Sequence, residues 1–471
     1  MSGSKTLETS FSEFPESPVD PANVRRAAWG GLVGTVLEQY DFVVYATASA
    51  LIFPKLFFPN QSPTAGMILS FSAYAIGFAA RPLGGLFFSH FGERFGRKWV
   101  LVATLLLMGT ATFAIGCLPT FNSVGILAPL LLVLCRFLQG FGAGAEQSGG
   151  ATLLTETARR GKRGQLSSFV MIGAALGTAV GALVWVLAQR LSDAALISWG
   201  WRAIFWSSLI VTVGAMVIRA KLAESPVFVE LKKQSHVEQA PLKVIAKDGR
   251  LLVLKVILMN WGVSTQSYTY QVFMASYLVT VIGVDPKFVP KVLLIGAICA
   301  AFAALATGTL SDRFGRRRMY LIITGALILL PVPSFVALST GSPVAITVVM
   351  ILGFMLAAQG ATGVQMSFFP EMFGNRYRYA GVTLGREFSS IIGGGIAPLV
   401  CASLFAAFSK SWVPVAIYMS ITMLVSFLVT RTVPETVNRD LNTPEDAEWD
   451  DARPVVAARS QAAEFASADA R

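Results

Sequence analysis

The chain consists of long apolar blocks separated by shorter polar stretches. A helix needs about 20 apolar residues to cross the hydrocarbon core of a bilayer, and most blocks reach that length. The pattern therefore predicts an all-α membrane protein with twelve transmembrane helices. The approximate bounds are 28–53, 64–88, 99–118, 124–150, 165–189, 200–221, 251–282, 288–310, 319–338, 343–369, 379–408 and 412–431.

A polar and charged stretch interrupts this pattern between the sixth and the seventh block, and it predicts a division into two halves. The first residues are polar and lack an apolar centre, so we expect no cleavable signal peptide. The first span is then expected to direct insertion into the membrane. The predicted organisation is an N-terminal tail (1–27), a six-helix bundle (28–222), a linker (223–250), a second six-helix bundle (251–432) and a C-terminal tail (433–471).

The basic residues, which produce a formal net charge of +11, are concentrated in alternate loops. Arg159 and Arg160 follow the fourth span, and Arg317 and Arg318 follow the eighth, whereas the intervening loops carry few bases. This asymmetry is the positive-inside rule, and it predicts cytoplasmic termini and a multi-pass protein of the inner (cytoplasmic) membrane. The expected partner of these charges is the lipid bilayer rather than nucleic acid.

Residues for enzymatic chemistry are sparse in the sequence. Its two histidines, His90 and His236, both lie in predicted loops, and its four cysteines show no short-range pairing. Glycine-rich stretches lie inside spans, where a phosphate-binding loop does not belong. We therefore expect no enzyme, no metal and no cofactor.

An internal repeat supports a duplication. "SHFGERFGRK" follows the second span and "GTLSDRFGRR" follows the eighth, which places Glu93 and Asp312 219 residues apart at matched positions. A second similarity lies at the end of each half, where "AESP" in the first half corresponds to "PETV" in the second. Duplicated halves are typical of secondary transporters, in which the substrate site lies between the halves near mid-depth.

The loop motif resembles the signature of the major facilitator superfamily. "LEQYDF", "RPLGG", "RFLQGFGAGAE", "SWGWR" and "PEMFGNRYRYAG" resemble its metabolite:proton symporter branch, which includes symporters of shikimate, citrate, 2-oxoglutarate and proline or betaine. The similarity runs from about residue 25 to 435. It implies proton-coupled transport by alternating access. Gln39 and Gln147 stand where many relatives carry Trp, so no relative's substrate is carried over.

The repeated loop motif is interpreted as a gate latch. An acid at a helix end can pair with arginine or with the positive end of a neighbouring helix, and the pair breaks when the halves rock apart. A solvated positive-inside loop is the alternative, but it leaves the matched acids and glycines unexplained. The gating residues are Glu93, Arg94, Arg97, Asp312, Arg313 and Arg316.

Charged residues inside the spans indicate proton coupling. Asp41 lies about 13 residues into span one and Arg136 about 14 residues from the same side of span four, so both sit about 20 Å deep. We expect them to pair, because a lone buried charge is costly. An anionic substrate that takes Arg136 would leave Asp41 to bind a proton. The alternatives are a structural salt bridge, and Glu38 either as the proton carrier or as a partner of Arg81.

Polar residues inside the spans are the candidates for substrate binding, with interhelical hydrogen bonding as the alternative for each. The candidates are Gln39, Tyr45, Arg136, Gln139, Gln147, Asn260, Gln266, Tyr268, Gln271, Gln359 and Gln365.

The predicted function is secondary active transport of a small polar metabolite in symport with protons, by a monomer. An organic acid, such as a shikimate-like, aromatic or di- or tricarboxylic acid, is the first choice of substrate. The alternatives on the same fold are an exporter or exchanger and the uptake of a zwitterion such as betaine or proline. A sensor is disfavoured because no sizeable soluble signalling domain is visible in the sequence.

Overall fold

The computed structural model describes residues 21–95, 97–144, 146–220, 245, 249–375, 377–441 and 445–447, without the side chains of 21–27, 63, 64, 89–101, 215 and 218–220. We call residues up to 220 the first half and residues from 249 the second half. The first half contains helices α1 (Pro21–Leu51), α2 (Phe53–Phe57), α3 (Pro63–Phe95), α4 (Arg97–Cys117), α5 (Phe121–Val124), α6 (Leu127–Ala143), α7 (Glu146–Thr157), α8 (Arg163–Ala188), α9 (Asp193–Ala195), α10 (Trp201–Trp206) and α11 (Ser208–Ala220).

The second half is also helical, and no strand occurs within the described ranges. It contains α12 (Arg250–Tyr268), α13 (Met274–Thr280), α14 (Phe288–Phe314), α15 (Arg316–Leu329), α16 (Pro331–Ser339), α17 (Pro343–Gly353), α18 (Ala361–Met372), α19 (Arg378–Ser390), α20 (Ile396–Ala407) and α21 (Val413–Thr430). The all-helical prediction is confirmed. The predicted spans 288–310 and 412–431 correspond closely to α14 and α21.

Seven helices in the described part of the chain are long and apolar enough to cross a membrane. An eighth is added if α15 and α16, which meet at a bend of 41°, form one span. The structure thus supports a multi-pass membrane protein, and the count of twelve spans stays a prediction.

Glycines allow the closest helix contacts in the first half. Gly173 and Gly177 of α8 face α1, and a Cβ atom built on them would lie 2.5 Å from the Leu32 carbonyl oxygen and 2.3 Å from that of Val36. Any side chain at these positions would push the two helices apart. Small residues spaced by four therefore form the packing face of α8 against α1.

A second pair of glycines brings the two halves together. A Cβ atom on Gly164 at the start of α8 would lie 2.3 Å from the carbonyl oxygen of Gly308 in α14, and one on Gly308 would lie 2.6 Å from that of Gly164. Backbone therefore meets backbone where α8 begins and α14 ends. We call this part of the molecule the Asp312 end, after the acid that lies in it.

Widened π-helical turns interrupt three long helices of the second half: Thr269–Phe273, Phe354–Gly360 and Ile391–Gly395. Such turns are frequent at functional sites. The last of them contains three consecutive glycines, Gly393, Gly394 and Gly395, which add no side-chain bulk to the turn.

Candidate functional site

Arg136 of α6 lies fully buried inside the first half. Its guanidinium carbon lies 4.4 Å from the ring centre of Phe42, 4.2 Å from that of Tyr45 and 4.7 Å from that of Tyr74. Aromatic faces stabilise a cation, but its Nε and Nη2 atoms have no hydrogen-bond partner. A buried arginine with two unused donors is a site at which an anion would be stabilised.

Asp41 of α1 is also fully buried, but the predicted direct ion pair with Arg136 is wrong for this conformation. Among the described side chains, the ion pairs do not include one between these two residues. The physical reason is that two polar side chains hydrogen-bond between them. Gln139 follows Arg136 by about one turn of α6, and Thr112 projects from α4.

These four residues form a chain of hydrogen bonds, which we call the relay. Arg136 Nη1 donates to Gln139 Oε1, and Gln139 Nε2 donates to Thr112 Oγ1 at 2.6 Å. Thr112 Oγ1 in turn donates to Asp41 Oδ2 at 2.8 Å. The cation and the carboxylate are thus connected through two neutral side chains, and Asp41 Oδ1 has no partner.

Glu38 has a different environment from Asp41, although both lie on α1. Arg81 of α3 donates from Nη2 to Glu38 Oε1 and from Nε to Glu387 Oε2 of α19, each at 2.7 Å. All three side chains are at most 3% exposed. Arg81 therefore joins the two halves and supplies Glu38 with a direct counter-charge, which Asp41 lacks.

A narrow cavity of about 10 Å³ lies between the two halves beside these charges. Among the predicted substrate residues, Gln39, Tyr268 and Gln271 line it. Phe42 and Tyr74, whose rings cover Arg136, line it as well. Arg136 therefore lies directly behind an aromatic wall of the cavity. The remaining lining residues are Val43, Ala46, Thr47, Thr178, Leu293 and Phe354.

Three predicted substrate residues form hydrogen bonds between helices of the second half, and their role in substrate binding stays a prediction. Gln266 Nε2 donates to the carbonyl oxygens of Leu327 at 2.7 Å and Met419 at 3.4 Å, and so ties α12 to α15 and α21. Interhelical bonding, the alternative considered for each polar residue, accounts for this contact.

Asn260 and Gln365 form a similar contact. Gln365 Nε2 donates to Asn260 Oδ1 at 2.9 Å and to Tyr320 Oη at 2.7 Å, which connects α12, α18 and α15. Gln147 bonds across the halves, since its Oε1 accepts from Arg386 Nη2 at 3.0 Å. Gln359 is 4% exposed, and its Oε1 has no partner.

The second copy of the loop motif has the geometry of a latch. Asp312 Oδ1 accepts from the backbone nitrogen of Gly164, and Oδ2 accepts from that of Gln165, each at 2.8 Å. Both nitrogens belong to the first turn of α8 in the other half, where the helix dipole favours an anion. Arg316 Nη2 donates to Asp312 Oδ1 at 2.7 Å, whereas Arg313 is exposed.

The first copy of the motif cannot be compared with it, because the side chains of Glu93, Arg94 and Arg97 lie outside the described residues. The gating role of both copies stays a prediction.

Sequence reasoning missed two acids at the Asp312 end. Glu371 accepts from Arg316 Nε and Nη2, both at 3.1 Å. Glu435 accepts from the backbone nitrogens of Arg316 at 2.7 Å and Arg317 at 3.1 Å, at the start of α15. Both acids follow a proline in the motifs "PEMF" and "PETV", so a signal was present in the sequence.

The same end contains further contacts between the halves. Arg378 Nη1 donates to Glu156 Oε1 at 2.9 Å, and Arg163 Nη1 donates to the carbonyl oxygen of Arg439 at 2.7 Å. Glu156 and Arg163 belong to the first half, and Arg378 and Arg439 to the second. The Asp312 end is therefore closed by charged contacts in this conformation.

Comparison with known proteins gives one consistent result. Residues 40–385 match the family model of the Major Facilitator Superfamily. The shikimate transporter of Escherichia coli (strain K12) is 37% identical, over 87% of this chain and 94% of that protein. An inner membrane metabolite transport protein of the same organism is 36% identical over 85% and 91%. Its proline/betaine transporter is 29% identical over 93% and 89%.

Solved structures agree in fold. A D-xylose–proton symporter has a TM-score of 0.68 at 17% identity, over 89% of this chain and 100% of that chain. A partially occluded inward-open form of the xylose transporter from E. coli has a TM-score of 0.70 at 16% identity, with the same coverage. At such low identity the likeness is one of fold alone.

Proposed function

This chain is a transporter of the major facilitator superfamily and not an enzyme, and from that premise we propose that it carries a small organic anion across the cytoplasmic membrane in symport with protons. The observation that carries the proposal is the relay, in which a buried arginine with two unused donors is connected to a buried carboxylate. The proposal includes twelve spans, cytoplasmic termini and a single chain as the working unit, which the loop charges and the duplicated halves support.

The free donors of Arg136 favour a carboxylate as the ligand group. Nε and Nη2 belong to the same edge of the guanidinium, which can bind both oxygens of a carboxylate through parallel hydrogen bonds. The adjoining cavity adds an aromatic wall and the amides of Gln39 and Gln271. These groups suit a small molecule that combines an acid with a ring or hydroxyl groups, in line with a 37% identical relative that transports shikimate.

Proton coupling follows from the competition for Arg136. Without substrate, each hydrogen bond of the relay points from Arg136 towards Asp41: Arg136 donates to Gln139, Gln139 donates to Thr112, and Thr112 donates to Asp41. A substrate carboxylate on Arg136 neutralises the cation, and Asp41 becomes a buried charge without compensation, which favours proton uptake. Glu38 is less suited to this role because Arg81 remains its direct partner. We therefore propose Asp41 as the proton carrier.

Alternating access requires that the two ends open in turn. The positive-inside rule places the Asp312 end at the cytoplasmic face. We propose that the bonds from Asp312 to the first turn of α8 hold that face closed, and that their rupture opens it.

A transport assay in proteoliposomes tests this function. The purified chain is supplied with radiolabelled shikimate, an aromatic acid, citrate, 2-oxoglutarate, proline and betaine, with and without an imposed pH gradient. We expect an acid to accumulate against its gradient only when the external side is acidic. Asp41→Asn is expected to abolish accumulation and to retain counterflow exchange. Asp285→Asn, at an exposed loop position, is the matched control and is expected to behave as wild type.

The same assay separates the alternatives. Uptake that ignores the gradient, with Asp41→Asn equal to wild type, contradicts symport. Accumulation of betaine or proline but of no acid would favour zwitterion uptake. Transport driven only by an opposite gradient would indicate an exporter or exchanger.

A further inference from the structure

We infer that Thr112 is a positioning residue that couples the protonation of Asp41 to the binding state of Arg136. The inference rests on the proposed function and deepens it. Thr112 belongs to α4, is fully buried and is not one of the residues that line the cavity. It is connected to the guanidinium of Arg136 through Gln139. It lies in none of the sequence motifs.

The single proton of the Thr112 hydroxyl group has two acceptors within hydrogen-bond distance. Thr112 Oγ1 lies 2.8 Å from Asp41 Oδ2, 2.9 Å from the Met108 carbonyl oxygen and 2.6 Å from Gln139 Nε2. A hydroxyl group has one proton to donate and two lone pairs to accept with. Gln139 must donate here, because its oxygen accepts from Arg136. The hydroxyl proton can therefore serve Asp41 or Met108, but not both at once.

The ionisation of Asp41 decides between these two directions. An ionised carboxylate only accepts hydrogen bonds, so Thr112 then donates its hydroxyl proton to Asp41. The carbonyl oxygen of Met108 receives no hydrogen bond from Thr112 in this arrangement. When Asp41 binds a proton on Oδ2, it becomes a donor to Thr112, whose own proton turns to the Met108 carbonyl. The protonated arrangement satisfies all three short contacts of the hydroxyl, whereas the ionised one leaves the contact with the Met108 carbonyl oxygen without a hydrogen bond. The change between them is a rotation of one O–H bond and needs no backbone movement.

This rotation changes the strength of the hydrogen bonds that connect Arg136 to Thr112 through Gln139. A hydroxyl that donates to an anion is a stronger acceptor, because linked hydrogen bonds polarise one another. With Asp41 ionised, Thr112 therefore binds Gln139 more strongly, and Gln139 binds Nη1 of Arg136. With Asp41 protonated, this bond weakens and Arg136 loses the anion at the far end of the relay. Its free edge then binds a substrate carboxylate more tightly, and by reciprocity the substrate favours the proton.

Other charged groups around Asp41 do not provide this connection. Arg136 of α6 and Glu38 of α1 are the charged neighbours that act on it, and Glu38 is paired with Arg81 of α3. Arg202 of α10 is bonded to the carbonyl oxygens of Gly116 and Leu118. Hydrogen bonding places Thr112 and Gln139 between the acid and its arginine.

Two variants of Thr112 test the inference. Thr112→Val removes the hydroxyl group and keeps the volume, whereas Thr112→Ser keeps the hydroxyl group. Thr110→Val, on the exposed side of the same helix, is the matched control. Each variant is reconstituted with radiolabelled shikimate, or with whichever acid of the panel the wild-type chain accumulates. Gradient-driven accumulation, counterflow and the pH dependence of the counterflow KM are measured.

We expect Thr112→Val to lower gradient-driven accumulation by about tenfold, within the usual range of coupling between two sites, while counterflow stays within about twofold of wild type. Its counterflow KM is expected to lose its dependence on pH. Thr112→Ser and Thr110→Val are expected to behave as wild type. If the valine variant does not fold, Thr112→Ala removes the hydroxyl group without filling the space.

The possible failures are distinguishable. Wild-type accumulation and an unchanged pH profile in a folded variant without the hydroxyl group would overturn the role of Thr112, even if Asp41→Asn is inactive. Wild-type behaviour of the valine variant together with a loss in the serine variant would show that only packing matters, and would overturn it as well. A wild-type phenotype of Asp41→Asn would remove the proposed function itself.

Discussion

Arg81 in the first half donates a hydrogen bond of 2.7 Å to Glu387 in the second half, inside the molecule and beside the cavity. Glu38, from the first half, accepts from the same guanidinium. One arginine thus holds two buried carboxylates, one from each half. Any motion that separates the halves at this depth must break the bond to Glu387 and can retain the bond to Glu38.

The first prediction concerns this shared arginine. Arg81→Met leaves two buried carboxylates without their cation and is expected to reduce the free energy of unfolding by about 3–5 kcal/mol. Glu387→Gln is expected to cost less, about 1–3 kcal/mol, because Arg81 keeps Glu38. Thermal unfolding of the purified variants in detergent measures both changes. A larger loss in the glutamine variant would contradict this assignment of the contacts.

The second prediction concerns the Asp312 end. Asp312→Asn removes the negative charge from the first turn of α8 and from Arg316. The closed form is expected to weaken by about 1–2 kcal/mol, which is about a tenfold rise in the open form. Distances between spin labels on either side of this end measure the two populations. Asp193→Asn, at an exposed position of the same protein, is the control, and an equal shift in both variants would disprove a latch.

The third prediction concerns the space around Arg136. A Cβ atom on Gly77 of α3 would lie 2.6 Å from Arg136 Nε and 3.1 Å from its Cδ. The aromatic rings around the guanidinium leave it little room to move, so Gly77→Ala is expected to displace it and raise the substrate Kd by about tenfold, or ~1.4 kcal/mol. Equilibrium binding of the radiolabelled substrate measures this. A Cβ atom on Gly214 meets nothing within 4 Å, so Gly214→Ala is expected to bind as wild type.

The fourth prediction distinguishes two glutamines of neighbouring turns. Gln271 lines the cavity, and Gln271→Leu is expected to raise the transport KM by about tenfold, as for the loss of one hydrogen bond, with stability largely unchanged. Gln266 donates hydrogen bonds to the carbonyl oxygens of Leu327 and Met419. Gln266→Leu is therefore expected to lower the free energy of unfolding by about 1–3 kcal/mol and to leave the transport KM unchanged. The reverse pattern in transport and unfolding assays would contradict the placement of both residues.

Much of the fold follows from local properties of the chain. Apolar length predicts helices, and the bounds of α14 and α21 agree closely with the apolar blocks. The spacing of Gly173 and Gly177 predicts a close helix contact, which the structure places against α1. The match to the superfamily bears out the resemblance that the loop motifs indicate. Each of these features depends on residues close together in the sequence, so no tertiary information is needed.

The site itself was only partly visible in the sequence. The rise per residue of a helix places Asp41 and Arg136 at one depth, and the structure connects them. Depth does not tell how a helix is rotated or which side chain lies between two charges. The expectation of a direct ion pair was wrong because Thr112 and Gln139 hydrogen-bond between them. The same uncertainty in rotation explains why Gln266 bonds helices while Gln271 faces the cavity.

The sequence by itself therefore determined the class of the protein, the repeat of its loop motif, and the charged residues within its apolar blocks. Tertiary structure alone decided which groups meet. Asp312 binds backbone nitrogens of Gly164 and Gln165, and Glu435 binds those of Arg316 and Arg317. Almost every residue type has a backbone N–H group, so the sequence does not show which ones bind an acid. Their acceptors lie more than a hundred residues away along the chain. Contacts of this kind are set by the packing of helices, because only packing brings such distant groups within hydrogen-bond distance.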